Sequence, residues 1–341
     1  MRKGNNRRPA GKTALKVICA VLALILAGLV LAYVYVDRML GLIERQPLQQ
    51  ETLSSSELYE IENQTDPVSE DFTGPVIDPT DITWSTEPVE VIDEEHITNI
   101  LLIGQDRRPG QGRQRSDAMI LCSVNTATKT LTMTSFLRDL YVQIPGYQDN
   151  RLNAPYALGG MELLKETLKL NFGVQVDGCI EVDFSQFEEI IDLMGGVDIS
   201  LTSAEAAHLN RQGFALKEGA NHLDGEAALA YSRIRYIGTD FGRTNRQRTV
   251  LAALVEQSRN ISLKQMHSLL EGVLGLITTD MSNGQIVGLA LECFPMLTAL
   301  KVNTQYIPAE GTYQFASIRG MSVIVADLEA NRKLLADTIM K

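Results

Sequence analysis

The chain has 341 residues, 45% of them hydrophobic and 21% charged, which is enough apolar surface for a packed core and rules out a wholly disordered polypeptide. Its formal charge of −11, from 31 Lys and Arg against 42 Asp and Glu, disfavours generic polyanion binding, so no nucleic-acid partner is expected. Four cysteines exclude a disulfide scaffold, and His96, His208, His222 and His267 are scattered, without zinc-ligand spacing.

The charge is unevenly spread along the chain. Residues 1–16 hold six cations and no acid, the composition of a cytoplasmic basic tail. Val17 to Val36 follows without a single charge. At about 1.5 Å per residue it spans roughly 30 Å, the thickness of a bilayer core. We therefore expect a transmembrane helix over 17–36, which makes the chain a single-pass protein of the cell membrane. Its N-terminus is expected in the cytoplasm and its bulk outside the cell. Residues 37–95 are expected to form an acidic extracellular linker. Within them, 44–95 carry 15 acids against Arg45, together with five of the eleven prolines. Repulsion and proline stiffness predict an extended spacer that holds the rest of the chain off the membrane.

The globular part is expected over 96–341 and reads α/β. Apolar runs predict strands at Thr98–Ile103, Ala118–Val124, Leu131–Leu137, Cys179–Phe184, Val197–Leu201 and near Thr304–Ile307. Amphipathic spacing predicts helices at Met161–Phe172 and around Phe187–Met194, the latter stopped by Gly195-Gly196. Further helices are expected at Leu223–Tyr231, Thr244–Arg259, Leu263–Ile277, near Asn283–Leu297 and at Val325–Met340. Strands and helices interleave, so helices should cover both faces of one central, mostly buried sheet, with no second core. Cys122 and Cys179 fall in strands and read as buried reduced thiols, with a disulfide the alternative if those strands are neighbours.

Charge gathers in three places. The first, Gly104–Asp117, leaves the end of an apolar strand with Arg107, Arg108, Arg113, Arg115, Asp106 and Asp117 among three glycines. Ligands of open α/β sheets sit at strand carboxyl ends. Arginine forks suit phosphate, and carboxylates suit a magnesium ion beside it; a solvated, self-neutralising loop is the equal alternative. In the second place, Arg138-Asp139 interrupts an apolar strand. The third begins at Tyr231–Tyr236. If that stretch is extended, Arg233 and Arg235 share one face. In the helix that follows, Arg243 and Gln247 lie on the stripe of Val250, Leu251 and Leu254 and need buried partners; a structural salt bridge could supply them, and with Arg233 and Arg235 close by a bound polyanion is the better explanation. Arg246 sits at the edge of that stripe, and Arg248 is expected to point outward.

Several strings occur in fixed order over roughly 96–260: LLIGQDRR, RQRSDAMIL, SFLRD, RLNAPYALGG, DLMGGVDI, LKEGANHLDGEAALAYSRIR and DFGRTNRQR. Together they closely resemble the LytR-CpsA-Psr family of cell-envelope proteins. The resemblance implies a three-layer α-β-α sandwich with a greasy pocket for an isoprenoid and arginines at its mouth for a pyrophosphate. It implies transfer of a glycan polymer from a polyprenyl-pyrophosphate carrier to peptidoglycan as acceptor, outside the cell and at a membrane. Carried over residue by residue, Asp106 and Asp117 resemble the carboxylates that hold a magnesium or manganese ion. Arg115, Arg138, Arg233, Arg235, Arg243 and Gln247 resemble the pyrophosphate contacts, with Asp106, Arg138, Arg233 and Arg235 closest to the chemistry. Leu137 stands where the family usually has proline. A pyrophosphate hydrolase and a non-catalytic binder of lipid-linked anionic glycan are the alternatives the same residues allow.

Overall fold

The structure is a computed structural model. It describes residues 34–45, 53–65, 74–85, 88–92, 94–107, 112–235, 240–259 and 263–341, with the side chains of 263, 264 and 266 left aside. The expected basic tail, most of the expected transmembrane run, Arg108 and Tyr236 lie outside the described residues. Among the described residues no helix is long and apolar enough to cross a membrane.

The fold is mixed α/β around one seven-stranded mixed sheet. Its strands are β1 (Glu44–Arg45), β2 (Ile97–Gln105), β3 (Ser116–Asn125), β4 (Thr130–Phe136), β7 (Gly178–Asp183), β10 (Thr278–Thr279) and β11 (Lys301–Ile307). Their order across the sheet is β1-β10-β7-β2-β3-β4-β11. Strands β2, β3 and β4 form an antiparallel meander, while β7 runs parallel to β2 and β11 parallel to β4. Strands β2, β4, β7 and β11 therefore point the same way, and their carboxyl ends share one rim of the sheet. Smaller antiparallel pairs lie outside it: β5 (Tyr141–Val142) with β6 (Asn150–Arg151), β8 (Val197–Leu201) with β9 (Gly219–Leu223), and β12 (Tyr313–Ile318) with β13 (Met321–Ala326).

The alternation of strand side chains divides the core. Leu101, Ile103, Met119, Leu121 and Phe136 face one way, against α2 (Ala154–Phe172) and α9 (Leu328–Ile339). The intervening Leu102, Ile120, Leu131 and Met133 face the other way, towards Leu251 and Val255 of α6 (Asp240–Ser258). Helix α2 is broken at Gly160, whose φ of +68° is open to glycine and strained for other residues. Helix α3 (Phe184–Leu193) stops, as predicted, at Gly195 and Gly196, both with positive φ.

Contrary to the expectation of a single core, a separate cluster forms around Ile191, Val197, Leu209, Leu223, Tyr231 and Val250. It gathers α3, β8, α4 (Ser203–Asn210), β9, α5 (Gly225–Ser232) and one side of α6. The described part of the stretch expected to be extended, Tyr231–Arg235, is not a strand: Tyr231 and Ser232 end α5, and Arg233 is its C-cap. The stretch expected to begin a closing helix at Val325 ends β13 first. Cys122 and Cys179 are free; burial pushes the Cys122 thiol up to about 12.

The described parts of the acidic segment are not an extended spacer. Strand β1 joins the sheet through β10. Helix α1 (Ser55–Asn63) is closed by a Ser54–Glu57 capping box. Ile77 N–H donates to Ser317 O at 2.9 Å, and Ile92 N–H to Gly173 O at 2.8 Å.

Candidate functional site

The shared rim of the sheet delivers the charged residues. Asp106 follows the last residue of β2, and Asp117 is the second residue of β3. Arg138 and Asp139 form the turn after β4, so the alternation of strand side chains does not apply to them. The chain from β6 to α2 is stitched onto this turn: Asn153 N–H donates to Arg138 O at 3.1 Å, and Leu152 N–H to Leu140 O at 2.8 Å.

A cavity of about 980 Å³ opens there, lined by Asp106, Arg113, Arg115, Asp117, Arg138 and Asp139 on the sheet side. Its opposite wall is helix α1, through Glu57, Tyr59, Glu60 and Ile61. Arg115 donates to Asn153 Oδ1 at 2.9 Å and to Ile61 O, which ties the acidic helix to the arginine wall.

The ion pairs are interlocked. Arg138 Nη1 lies 2.5 Å from Asp117 Oδ1, and Arg138 Nε lies 3.7 Å from Asp139 Oδ2. Arg151 Nη1 lies 3.7 Å from Asp139 Oδ1, and Arg243 Nη2 lies 2.9 Å from Asp240 Oδ1. Arg243 Nη2 also donates to Asp117 O at 3.4 Å. Burial works against the Arg138 charge, but Asp139, Asp117 and Asp240 outweigh it and hold its pKa above the ordinary value. Burial, aided by the like charges of Arg138 and Arg235, lowers that of Arg243 against the pull of Asp240 and Asp117. Burial also raises Asp139 above the usual carboxylate range, with Asp240 adding to the rise and Arg138 and Arg151 opposing it.

Of the residues singled out in the sequence, Asp106, Asp117, Arg115 and Arg138 thus line one cavity. Arg243 joins it through Asp117, and Arg235 is close enough to Arg243 to act on its charge. Arg233 stands apart from the cavity lining: its guanidinium carbon lies 4.4 Å from the centroid of the Phe184 ring, at the start of α3. Arg107 is drawn to Glu181 and Asp183 on β7, at 3.6 and 3.8 Å. Arg151, Asn153 and the acidic helix were not singled out. The string RLNAPYALGG contained the first two, and nothing in the composition of 44–95 pointed to the third.

Helix α6 carries two inward stripes rather than one. Val250 and Leu254 face the separate cluster, while Leu251, Ala252 and Val255 face the sheet. Arg246 belongs to the first and is no edge residue: its Nε lies 2.7 Å from Glu205 Oε1, and it donates to Ile234 O at 3.1 Å. Arg248 belongs to the second, three, four and seven residues before Leu251, Ala252 and Val255. It is 3% exposed, against the expectation that it points outward. Its guanidinium carbon lies 5.7 Å from the centroid of the Tyr306 ring, and Nη2 makes a 3.3 Å contact to Asn245 Oδ1. Among the described residues Nε and Nη1 have no partner, and burial lowers its pKa to about 10. Gln247 Oε1 and Arg243 Nε are likewise buried and unpartnered. Such orphaned groups cost free energy until a ligand satisfies them.

For a divalent ion, the donor chemistry fits a site completed by substrate. Asp106 is exposed and, among the described residues, carries no hydrogen bond or ion pair; Asp117 lines the same cavity and is held through one oxygen by Arg138. Among the described residues no cluster of three His, Cys, Asp or Glu could cage a metal. Magnesium commonly takes one or two carboxylates and completes its shell with water and substrate phosphate.

Comparison with known proteins agrees with this architecture. Residues 56–336 match the LytR_cpsA_psr family, so the match begins inside the acidic segment, at helix α1. Regulatory protein MsrR of Staphylococcus aureus (strain COL) is 32% identical over 220 residues, covering 63% of this chain and 66% of its own length. The polyisoprenyl-teichoic acid–peptidoglycan teichoic acid transferase TagU of Bacillus licheniformis is 36% identical over 174 residues, covering 50% of this chain and 55% of TagU. Among solved structures, TagT bound to LIIa-WTA superposes with a TM-score of 0.59 at 28% identity, covering 72% of this chain and 90% of that one. YwtF (TagT) with bound octaprenyl pyrophosphate lipid superposes at 0.55 and 26% identity, covering 76% and 94%. The chain belongs to the LytR_cpsA_psr family.

Proposed function

We propose that the chain is a glycopolymer–peptidoglycan phosphotransferase. It takes a glycan polymer from a polyprenyl-pyrophosphate carrier and joins it to a peptidoglycan sugar hydroxyl, releasing polyprenyl phosphate. We place the reaction outside the cell, on a domain of α-β-α layering held to the membrane by residues 17–36. The observation that carries this reading is the meeting of Arg115, Arg138 and Arg243 with Asp106 and Asp117 at one rim of the sheet. The relatives support it: TagU is named for transfer of teichoic acid to peptidoglycan, and YwtF (TagT) has been solved with a polyprenyl pyrophosphate.

A pyrophosphate diester resists attack because its charge repels an incoming hydroxyl. In the proposed reaction the acceptor oxygen bonds to the glycan-bearing phosphorus. The bond from that phosphorus to the bridging oxygen breaks, and the electron pair leaves with polyprenyl phosphate. Arg138, Arg243 and Arg115 neutralise the diester and stabilise the charge that grows on the leaving group. Arg235 adds to the field, and the unpartnered Gln247 Oε1 can accept from a hydroxyl of the glycan carried by the donor. Arg233, stacked on the Phe184 ring outside the cavity lining, is given no contact with the donor in this reading. Asp139, held above the usual carboxylate range and backed by Arg151, takes the hydroxyl proton. A magnesium ion held by Asp106 and Asp117 would supply further charge neutralisation on the diphosphate.

The test is turnover of a polyprenyl-pyrophosphate glycan with and without peptidoglycan. Wall-linked product and polyprenyl phosphate are expected only with acceptor. Product formed by water alone would make the protein a hydrolase, and binding without turnover would make it a glycan carrier.

A further inference from the structure

Residues 34–40 are helical; Val34, Tyr35 and Val36 close the uncharged run that begins at Val17, and Asp37 and Arg38 follow it. Met39, Leu40 and Ile43 are buried, packed with Leu274 of α7 (Leu263–Leu274) and with Ile286 and Val287 of α8 (Asn283–Cys293). The polar contacts are equally close. Tyr35 OH meets His267 Nδ1 of α7 at 2.5 Å, and Arg45 Nη2 donates to Asn283 Oδ1 of α8 at 2.5 Å. Strand β1 then pairs with β10 and enters the sheet at once. No length of free chain separates the end of the apolar run from the folded domain.

Tyr35 lies within the run expected to span the bilayer, so its contact with His267 brings α7 to the level of the bilayer surface. Helix α8 continues the same surface. Val287 packs on the juxtamembrane helix; Leu291 of α8 and Phe294, the helical C-cap that opens the following 3-10 turn, come after it at i+4 and i+7. They are exposed, 70% and 57%, and so is Leu270 of α7. An apolar stripe that begins in a packed interface and runs on uncovered marks a contact surface rather than scattered surface residues.

We propose that α7 and α8 form a seating face that lays Leu270, Leu291 and Phe294 against the lipid bilayer in which residues 17–36 are anchored. This rests on the membrane-anchor part of the reading above. The domain then stands on the membrane in a fixed pose instead of swinging from a tether. Aromatic and aliphatic side chains at such an interface gain from burial at the headgroup–acyl boundary.

Full-length protein reconstituted into phosphatidylcholine–phosphatidylglycerol vesicles tests this, using Phe294→Trp and the single native Trp84 as an internal reference. Trp84 is half-buried, with its indole N–H on Asp149 Oδ2 at 2.7 Å. With brominated lipids, the emission added by Phe294→Trp is expected to be blue-shifted and lost, while that of Trp84 persists. Co-floating protein whose Phe294→Trp emission survives would overturn the seating face and leave the anchor standing. Protein that fails to co-float with vesicles would overturn the anchor, and the seating face with it. Leu291→Gln provides a second reading: it sits on an exposed position, so the fold is expected to persist while quenching of Phe294→Trp weakens. Undiminished quenching in that variant would also count against the face.

Discussion

Two arginines of helix α6, Arg246 and Arg248, stand two residues apart, are almost equally buried, and live in opposite circumstances. Arg246 is closed: Glu205 meets it at 2.7 Å, and the Ile234 carbonyl accepts a second hydrogen bond. Arg248 is open: among the described residues no carboxylate reaches it, and Nε and Nη1 face nothing that can accept. The region around each follows the same division. The cluster of Ile191, Leu209 and Tyr231 uses the buried Arg246 as a brace. The cavity rim holds Arg243 and Gln247 with unsatisfied atoms beside carboxylates shared among several guanidiniums. Burial of an arginine therefore marks no site by itself. What separates brace from site is whether the protein finishes the hydrogen bonding or leaves it for a ligand.

The sharpest way to break the comparison is to open the closed arginine. Arg246→Ala strands a carboxylate that is itself mostly buried, so a loss of about 3–5 kcal/mol in unfolding free energy is expected. Chemical denaturation checks it. A variant of unchanged stability would mean that the Arg246–Glu205 pair braces nothing.

At the rim the balance should reverse. Arg138→Ala is expected to stay folded and to lose about 2–4 kcal/mol of transition-state stabilisation, the scale of one oxyanion donor. Transfer of lipid-linked glycan measures it, with circular dichroism as the control for folding. Transfer at the parent rate would remove Arg138 from the chemistry.

The sequence made this rim visible because its residues sit at element ends, where apolar runs stop and charge starts. Asp106, Asp117 and Arg138 needed only the positions of β2, β3 and β4 to be placed together. The strands β12 and β13 were hidden because Val325 and Ala326 run on into the helical spacing of α9. Arg248 lies off the single stripe that the spacing predicts because α6 has two. Val250 and Leu251 belong to different faces, and helical angle alone does not tell how many neighbours a helix has. The acidic helix was missed for another reason. Its docking depends on main-chain carbonyls of Ile61 and Glu62, which accept from Arg115 and from Asn150, and carbonyls leave no trace in composition.

Asp139 sharpens the comparison through pH. Its pKa is raised by burial, so the ionised form that can accept a proton builds up at higher pH than for an ordinary aspartate. The acid limb of the transfer rate should sit correspondingly high. Asp139→Asn should remove that limb and lower the plateau by about 10²-fold, the low end for a general base. The same sign applies to folding: stability linked to a raised carboxylate pKa is lost as pH rises through it. Asp139→Asn is therefore expected to be no less stable than the parent at neutral pH. An unchanged acid limb would assign the proton elsewhere.

The smallest effect falls on the open arginine, and it discriminates best. Arg248→Met keeps most of the aliphatic stem that packs beside Leu251 while deleting a buried charge without a counter-ion. A structural arginine would make this substitution costly; an arginine waiting for a ligand makes it neutral or stabilising, because the desolvation penalty disappears with the charge. Donor affinity should move the other way, by about 1.5 kcal/mol or roughly tenfold, if Nε and Nη1 are completed by an anionic oxygen of the donor. Thermal unfolding and donor binding, measured on the same variant, read the two signs separately. Opposite movement of stability and affinity places Arg248 with the rim. A joint fall makes it a second brace, and the distinction between finished and unfinished hydrogen bonding then fails at the position where it is most clearly drawn.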